Sequence, residues 1–358
     1  MPRLTSVLFL PSLLCFLGPT SPAFSQTVAT DEFVSEASRI VGTFKPKVEE
    51  RTPEARAEAA RQFLDTLDEE QKKKVALTLD DPERRKWTNL PAREDAGGLR
   101  LGHCETRQVK AFCQMMATLL SEQGYAKMCN IMLADDELIK GGRRRAGLGT
   151  EYFAVVLFGE PSATRPWGFQ LDGHHVGFNL AIEGEKLTMS PSFLGTQPEA
   201  FHLADKKVRP LAGEIDGAFA LINSLDAELQ KQAIVKPKRG NLRSGPGTDG
   251  QVPEPIGVSC EAFNEAQKES LLKLIAQWVN DLPPAQAKLR MEQLRKEVDQ
   301  MHFAWQGPTK LKSDVSYAIQ GPSLIIEYTC QDLGGNPPDH LHTMYRDPTN
   351  EYGKQLGN

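Results

Sequence analysis

The sequence lacks the motifs of several large enzyme classes. Its 358 residues contain no GxSxG nucleophile elbow, no phosphate-binding P-loop, no HExxH zinc helix and no glycine-rich dinucleotide fingerprint. Nucleophilic serine catalysis and nucleotide hydrolysis are therefore disfavoured.

Basic charge and long apolar segments are also scarce. The formal net charge is -5, whereas a surface that binds phosphate backbones needs a clear basic excess, so we expect no nucleic-acid partner. Beyond the first 25 residues, no apolar run approaches the roughly 20 residues that cross a bilayer, so we expect no integral membrane segment after signal cleavage.

Cysteines are few and show no CxxC spacing, so the sequence signals neither a zinc knuckle nor a redox pair. Five remain if Cys15 is removed with a signal peptide. Because five is an odd number, at least one thiol is unpaired, and spacing alone does not define a pairing. Buried, reduced cysteines are the favoured interpretation.

The N-terminus has the order of a secretory signal peptide. Arg3 supplies the positive charge, an apolar stretch covers 7–17, and small residues precede an expected cleavage between Ser25 and Gln26. A membrane anchor is the alternative, but Pro11 interrupts an apolar run that is too short to span. We therefore expect residues 1–25 to be a signal peptide and the mature protein to be secreted or periplasmic.

Helical periodicity dominates the N-terminal third of the chain. Apolar residues recur at intervals of three and four over 31–79 and 105–139, and Gly124 is expected to separate two helices. Strands joined by short turns follow, one of them at Asp172-Gly173, which predicts an antiparallel meander. The expected strands are 152–158, 167–171, 174–182 and 186–190.

Helices at 213–229 and 261–301 precede a C-terminal group of strands. Because helices and strands come in blocks, the sequence predicts an α+β fold with a helical N-terminal third, an antiparallel meander with packed helices, and a β-rich C-terminus. We expect residues 26–358 to form one large domain, or two intimately packed halves, 26–235 and 258–358, joined by a loop at 236–257. The expected C-terminal strands are 315–320, 323–329 and 340–345.

Four of the seven histidines occur as two pairs, and the first pair opens the predicted strand 174–182. Side chains alternate along a strand, so His175 shares a small, polar face with Asn179, while His174 falls on the apolar face. The neighbouring turn can re-aim His174 as well.

The second pair is His340-Leu341-His342, in which both imidazoles project to the same side because the leucine points away. Two imidazoles at this spacing can bind one metal ion, with nitrogens about 2 Å from zinc. The sequence thus predicts a divalent transition-metal site built from His174, His175, His340 and His342, with zinc, copper and iron all open.

Glu327 is a carboxylate within the apolar segment 324–328. Its burial is costly unless a metal ion, an arginine or a hydrogen-bond donor compensates the charge. One interpretation is a structural ion pair with Arg346, another is a metal ligand or general base, and a third is simple exposure at an edge strand. Among other polar residues, Gln170 and Asn179 could orient a substrate, Arg346 could clamp an anionic group, and Asp347 could fix Arg346.

Several motifs together resemble the family called domain of unknown function 3500, over most of the mature chain. They are FGEPS at 158–162, WGFQ at 167–170, GHH at 173–175, PSFLG at 191–195, FAW at 303–305, GP at 321–322, IEY at 326–328, HLHT at 340–343 and YRDPTN at 345–350. Where the family has aspartate before Tyr-Gly, this chain has Glu351. The resemblance implies that the histidine pairs, Glu327 and Arg346 belong to one family pattern. It implies no particular activity.

These observations lead to one principal hypothesis and two alternatives. The principal one is an exported metal-dependent enzyme, a hydrolase acting on a small polar molecule, with His175, His340 and His342 as ligands and His174 or Glu327 completing the shell or serving as base. One alternative is an extracytoplasmic protein that binds a small polar or sugar-like ligand without turnover. The other is a structural module in which the histidines, Glu327 and Arg346 form a buried network.

Overall fold

The computed structural model describes residues 35–91, 97–142 and 147–357. The expected signal peptide, 1–25, lies outside these residues. Among the helices of the described part of the chain, none has the length and apolar character needed to cross a membrane. The five cysteines found there form no disulfide; four are buried and Cys104 is half-buried.

Nine α-helices are found in the described residues. They are α1 (Glu36–Thr43), α2 (Pro53–Asp65), α3 (Glu69–Val75), α4 (Thr106–Leu119), α5 (Glu122–Lys140), α6 (Ala212–Ser224), α7 (Ala227–Ala233), α8 (Glu265–Val279) and α9 (Pro284–Glu297).

The strands are short at the edges of the sheet and longest near its centre. They are β1 (Ala76–Leu77), β2 (Leu99–Arg100), β3 (Ala154–Phe158), β4 (Trp167–Gly173), β5 (Val176–Glu183), β6 (Lys186–Thr196), β7 (Phe201–Leu203), β8 (Lys206–Val208), β9 (Ile234–Lys236), β10 (Val258–Ser259), β11 (His302–Gln306), β12 (Ser316–Gly321), β13 (Leu324–Cys330) and β14 (Leu341–Arg346).

Twelve of these strands form one sheet, in the order β1-β3-β4-β5-β6-β14-β13-β12-β11-β10, with β2 beside β3 and β9 beside β11. Most neighbours are antiparallel, while β1–β3 and β9–β11 are parallel. The predicted α+β class with an antiparallel sheet is confirmed at this level. At the centre, β6 pairs with β14, so strands from the two halves of the described chain join in one sheet.

The helix boundaries follow local capping chemistry. Asp68 begins α3 with a capping box completed by Gln71, which satisfies two backbone amides at the helix start. The break predicted at Gly124 was wrong, because α5 begins at the Ser121 cap and Gly124 lies inside it. A Cβ at Gly124 would lie 2.4 Å from the backbone oxygen of Asp281, so this glycine serves close packing.

The two faces of the sheet differ in character. Residues Val176, Phe178 and Leu180 of β5 belong to the main hydrophobic core, together with helix residues such as Phe112 and Trp278. We call this side the helix face. The opposite side, the loop face, is covered by segments 79–91, 240–257 and 351–353. Most candidate site residues lie on the loop face, whereas His174 and Asp347 contact helices α5 and α9.

Candidate metal centre

His174 and His175 form the two-residue turn between β4 and β5. The sequence placed this turn at Asp172-Gly173 and started the next strand at His174, and the structure corrects both predictions. β4 continues through Gly173 and β5 begins at Val176, with these two residues directly paired. The histidines therefore project from the end of a hairpin instead of from a strand.

Backbone contacts hold this turn in place. His175 has φ 70, a left-handed conformation that is uncommon for residues with a Cβ. Its N–H donates to the carbonyl of Asn89 at 3.4 Å, and its carbonyl accepts from the N–H of Gly195 at 2.8 Å. The imidazole of His175 consequently lies over β6, close to the position of Gly195.

β14 brings the second pair to the same place. His342 is paired with Gly195 of β6, and Leu341 points into the main core. His340 immediately precedes the strand in an extended conformation, so its ring lies on the same side as that of His342. The register between β6 and β14 thus places both imidazoles beside His175.

The three rings converge through their Nε2 atoms. His340 Nε2 lies 2.9 Å from His175 Nε2 and 3.0 Å from His342 Nε2. One ligand nitrogen from each ring fits within a group whose members are all within 4.8 Å of one another. Nitrogens bound tetrahedrally to zinc would be about 3.3 Å apart, so small adjustments suffice to place a metal ion between them.

The hydrogen bonding of His340 suits metal binding. Its Nδ1 lies 2.6 Å from the carbonyl oxygen of Leu333. A carbonyl can only accept, so Nδ1 carries the proton, and in the neutral ring Nε2 then presents its lone pair to the other two histidines. A backbone carbonyl in this role is the usual outer partner of a metal-ligating histidine.

Burial favours neutral imidazoles at this centre. It lowers the pKa of His175 well below its usual value, and the neighbouring histidines lower it further. The pKa of His342 is lowered for the same two reasons, with burial again the larger cause. Neutral imidazole is the form that coordinates metal ions.

These shifts make the stability of the metal-free protein depend on pH. In the unfolded chain both imidazoles take up protons near pH 6.5, whereas burial in the folded protein lowers their pKa well below this value, so they bind fewer protons. The unfolded state then binds more protons, so we expect the free energy of unfolding to fall between pH 7 and 5, by at most about 1.4 kcal/mol per pH unit for each histidine.

Urea titrations of chelator-treated protein at several pH values measure this dependence. The slope should be smaller in H342Q and unchanged in H202Q, since His202 is exposed on β7. An unfolding free energy that is constant over this range would contradict the assignment.

His174 is not part of the three-ring group. Its ring stacks on that of His175 with centroids 3.7 Å apart, and its Nδ1 contacts Asp135 of α5. The second oxygen of Asp135 accepts from the N–H of Gly149 at 2.6 Å. Asp135, His174 and His175 together form a second group with metal-ligating atoms close to one another.

Glu327 lies away from the histidines and anchors a covering loop. Its carboxylate accepts from the Nε of Arg243 at 2.9 Å and from the backbone N–H groups of Arg243 and Ser244 at 2.8 and 2.9 Å. Arg346, the partner proposed from the sequence, is not its partner. The compensation comes instead from the loop 240–257, whose position the sequence pattern could not place.

Arg346 and Asp347 are held in two separate ion pairs. Arg346 binds Glu351 and, at 3.3 Å, the carbonyl oxygen of Thr248, so its guanidinium ties two covering segments to the sheet. Asp347 contacts Arg290 of α9 at 3.2 Å, not Arg346 as the sequence suggested. The structure therefore places neither side chain at the histidine cluster.

Gln170 and Asn179 bind each other and the covering segments. Gln170 Nε2 donates to Asn179 Oδ1 at 2.7 Å and to the carbonyl of Arg84 at 3.0 Å. Asn179 Nδ2 donates to the carbonyl of Pro191 at 3.0 Å. These contacts occupy polar atoms that we had expected to orient a substrate.

The sequence did not reveal two contributors to the centre. Asp135 belongs to the acidic pair Asp135-Asp136 within the mostly apolar helix α5, a signal that could have drawn attention to it. Gly195 allows close packing, since a Cβ there would lie 2.7 Å from His175 Cδ2 and 3.0 Å from His342 Cδ2. Gly195 ends the PSFLG motif that carries the family resemblance, but nothing in that motif indicated its contact with the histidines.

Comparison with known proteins gives one match. A family model described as "Protein of unknown function (DUF3500)" matches residues 49–354, which include every residue of the histidine cluster. No curated protein and no solved structure matches the chain.

Proposed function

The chain belongs to the DUF3500 family, and from that premise we propose that His175, His340 and His342 bind one divalent transition-metal ion in an enzyme that hydrolyses a small polar substrate. The convergence of three imidazole Nε2 atoms, two of them 2.9 and 3.0 Å from the third, carries this proposal. The proton on Nδ1 of His340 supports the proposal further, because the lone pair of this ring is then on Nε2, which faces the other two histidines.

Three imidazoles make a suitable donor set for hydrolytic chemistry. His175, His340 and His342 would hold the metal ion with a position open to water, and the ion would lower the pKa of that water to about 7. Of the two residues considered as a base, Glu327 is occupied by Arg243 and Ser244. His174, which is held by Asp135 and stacked on His175, is the better candidate.

The same distances also support a second candidate, a metal-free structural cluster. Separations of 2.9 and 3.0 Å between nitrogens are those of N–H···N hydrogen bonds. With Nδ1 protonated, His340 Nε2 has one lone pair and would then accept from a protonated Nε2 of one of the other two rings. Metal analysis separates the two candidates.

Elemental analysis of protein purified without chelator should give about one zinc, copper or iron ion per chain. H340A and H342A should lose this ion while remaining folded by circular dichroism, because each removes one of three ligands. H202A is the matched control, since it removes an exposed histidine of β7. Folded wild-type protein that has no stoichiometric metal and binds none on titration would exclude the metal site.

The hydrolytic part of the proposal needs a separate readout. Turnover of a panel of small carboxylic and phosphoric esters should disappear on chelation and return when the metal is restored. Metal-loaded protein that hydrolyses none of them would favour a binding role without turnover.

A further inference from the structure

Three helices meet at a buried group of charged side chains that the proposed metal centre does not use. Lys127 of α5 lies between Glu214 of α6 and Asp281, which follows the end of α8. We call these three residues the junction cluster. Their side chains are 6%, 1% and 0% exposed, respectively. Two acidic groups therefore face one basic group in a place that water scarcely reaches.

Lys127 ties the three helices together. Its Nζ donates to Glu214 Oε1 at 2.7 Å, to Asp281 Oδ2 at 2.9 Å and to the carbonyl oxygen of Gln277 on α8 at 2.5 Å. An ammonium group has three donors, so its hydrogen bonding is complete. The junction cluster thus has one cation, and that cation is fully engaged.

The charges of the junction cluster do not balance when both acids are ionised. One ammonium group and two carboxylates leave a buried negative charge without compensation, and a buried acid in this position takes up a proton instead. The hydroxyl of Tyr317 on β12 donates to the backbone carbonyl of Glu214 at 2.8 Å. Burial raises the pKa of Tyr317 well above its usual value, so this phenol is neutral and does not change the balance.

Hydrogen bonds indicate which acid holds the proton. The carboxylate of Asp281 accepts from Lys127 and, at 3.0 Å, from Nε2 of Gln123 on α5, whereas Lys127 is the one described side chain that donates to the carboxyl group of Glu214. Donors favour the ionised form of an acid. Burial raises the pKa of Glu214 by more than Lys127 lowers it, and Asp281 raises it further. Burial raises the pKa of Asp281 too, but Lys127 and Gln123 oppose this effect.

We propose that Glu214 keeps its proton at neutral pH, so that Lys127 and Asp281 form a balanced pair, and that loss of this proton in alkaline solution loosens the junction of α5, α6 and α8. The junction is then a pH-sensitive contact between helices. This inference does not depend on metal binding.

The proposal defines how the junction cluster contributes to stability. In the unfolded chain Glu214 releases its proton near its ordinary pKa of 4.5, whereas in the folded protein it holds the proton above pH 7. Between these values the folded state binds one proton more, so stability falls as the pH rises, and the unfolding equilibrium constant increases by up to about tenfold per pH unit. The contribution of His175 and His342 has the opposite sign and cancels when variants are compared.

Urea titrations of chelator-treated wild type and E214Q between pH 5.5 and 7.5 test the proposal. Glutamine keeps an acceptor for Lys127 but has no proton to release, so the ratio of the wild-type to the E214Q unfolding constant should rise about tenfold per pH unit. D281N should give the same rise, because Glu214 then ionises beside Lys127. E265Q is the matched control with a constant ratio, since Glu265 of α8 is 94% exposed.

Carbon-13 NMR of wild-type protein labelled at the glutamate carboxyl carbons gives a readout that needs no stable variant. One carboxyl signal should remain at the position of a protonated acid at pH 7.5. Where E214Q folds, its spectrum should lack this signal, and that of E265Q should keep it. Wild-type protein with every glutamate ionised at this pH, or a ratio for E214Q that is constant with pH, would overturn the proposal.

Discussion

Replacing Glu327 by alanine is expected to lower the free energy of unfolding by about 3 kcal/mol. The change leaves the guanidinium of Arg243 and two backbone amides without their shared acceptor, and removing one partner of a buried, hydrogen-bonded pair costs several kcal/mol. The partial exposure of Arg243 keeps the effect at the lower end of that range. Denaturant titration measures it.

Two comparisons show whether the lower stability of E327A comes from the buried ion pair and whether Glu327 binds a metal ion. E160A removes an exposed carboxylate paired with Arg165 and should cost less than about 1 kcal/mol. Folded E327A should keep the metal content of the wild type, because Glu327 binds the covering loop and not the histidines. Loss of metal from folded E327A would instead support the ligand role considered from the sequence.

G195A is expected to disrupt the histidine cluster. The added Cβ would lie 2.7 Å from His175 Cδ2, 2.8 Å from the carbonyl oxygen of Leu341 and 3.0 Å from His342 Cδ2. Overpacking of this kind costs about 1–3 kcal/mol, and reorienting ligands typically weakens metal binding by about 10- to 100-fold. Competition with a chromogenic chelator measures the change in affinity.

G245A is the appropriate control for this variant. Gly245 lies in the covering loop, and a Cβ there would meet nothing within 4 Å. Its metal affinity and stability should therefore match the wild type within about 0.5 kcal/mol. Equal metal affinity in G195A and G245A would show that the rings tolerate the extra methyl group.

The sequence was sufficient for the fold class and for the identity of the clustered histidines. Alternation along His340-Leu341-His342 correctly gave two imidazoles on one side, because a strand's side-chain period does not depend on distant contacts. The apolar alternation of Val176, Phe178 and Leu180 likewise identified the face that packs in the main core.

Other features of the structure depend on contacts between residues that are distant in sequence, and local sequence patterns do not indicate such contacts. The Asp172-Gly173 dipeptide has the composition of a hairpin turn, yet the turn lies at His174-His175, where Asn89 and Gly195 hold the backbone. β6 was expected to end at Ser190 before a proline, but it continues to Thr196 and reaches β14. The partners of Glu327 come from a loop 83 and 84 residues earlier in the chain.

The pairing of β6 with β14 also governs when the centre can form. His175 and His340 are separated by 165 positions, and both β14 and the chain leading to it follow α9. A nascent chain that lacks this last stretch has one of the three imidazoles and an unpaired β6 edge. Convergence of the three imidazoles thus depends on long-range strand pairing, which the local β4–β5 hairpin cannot supply.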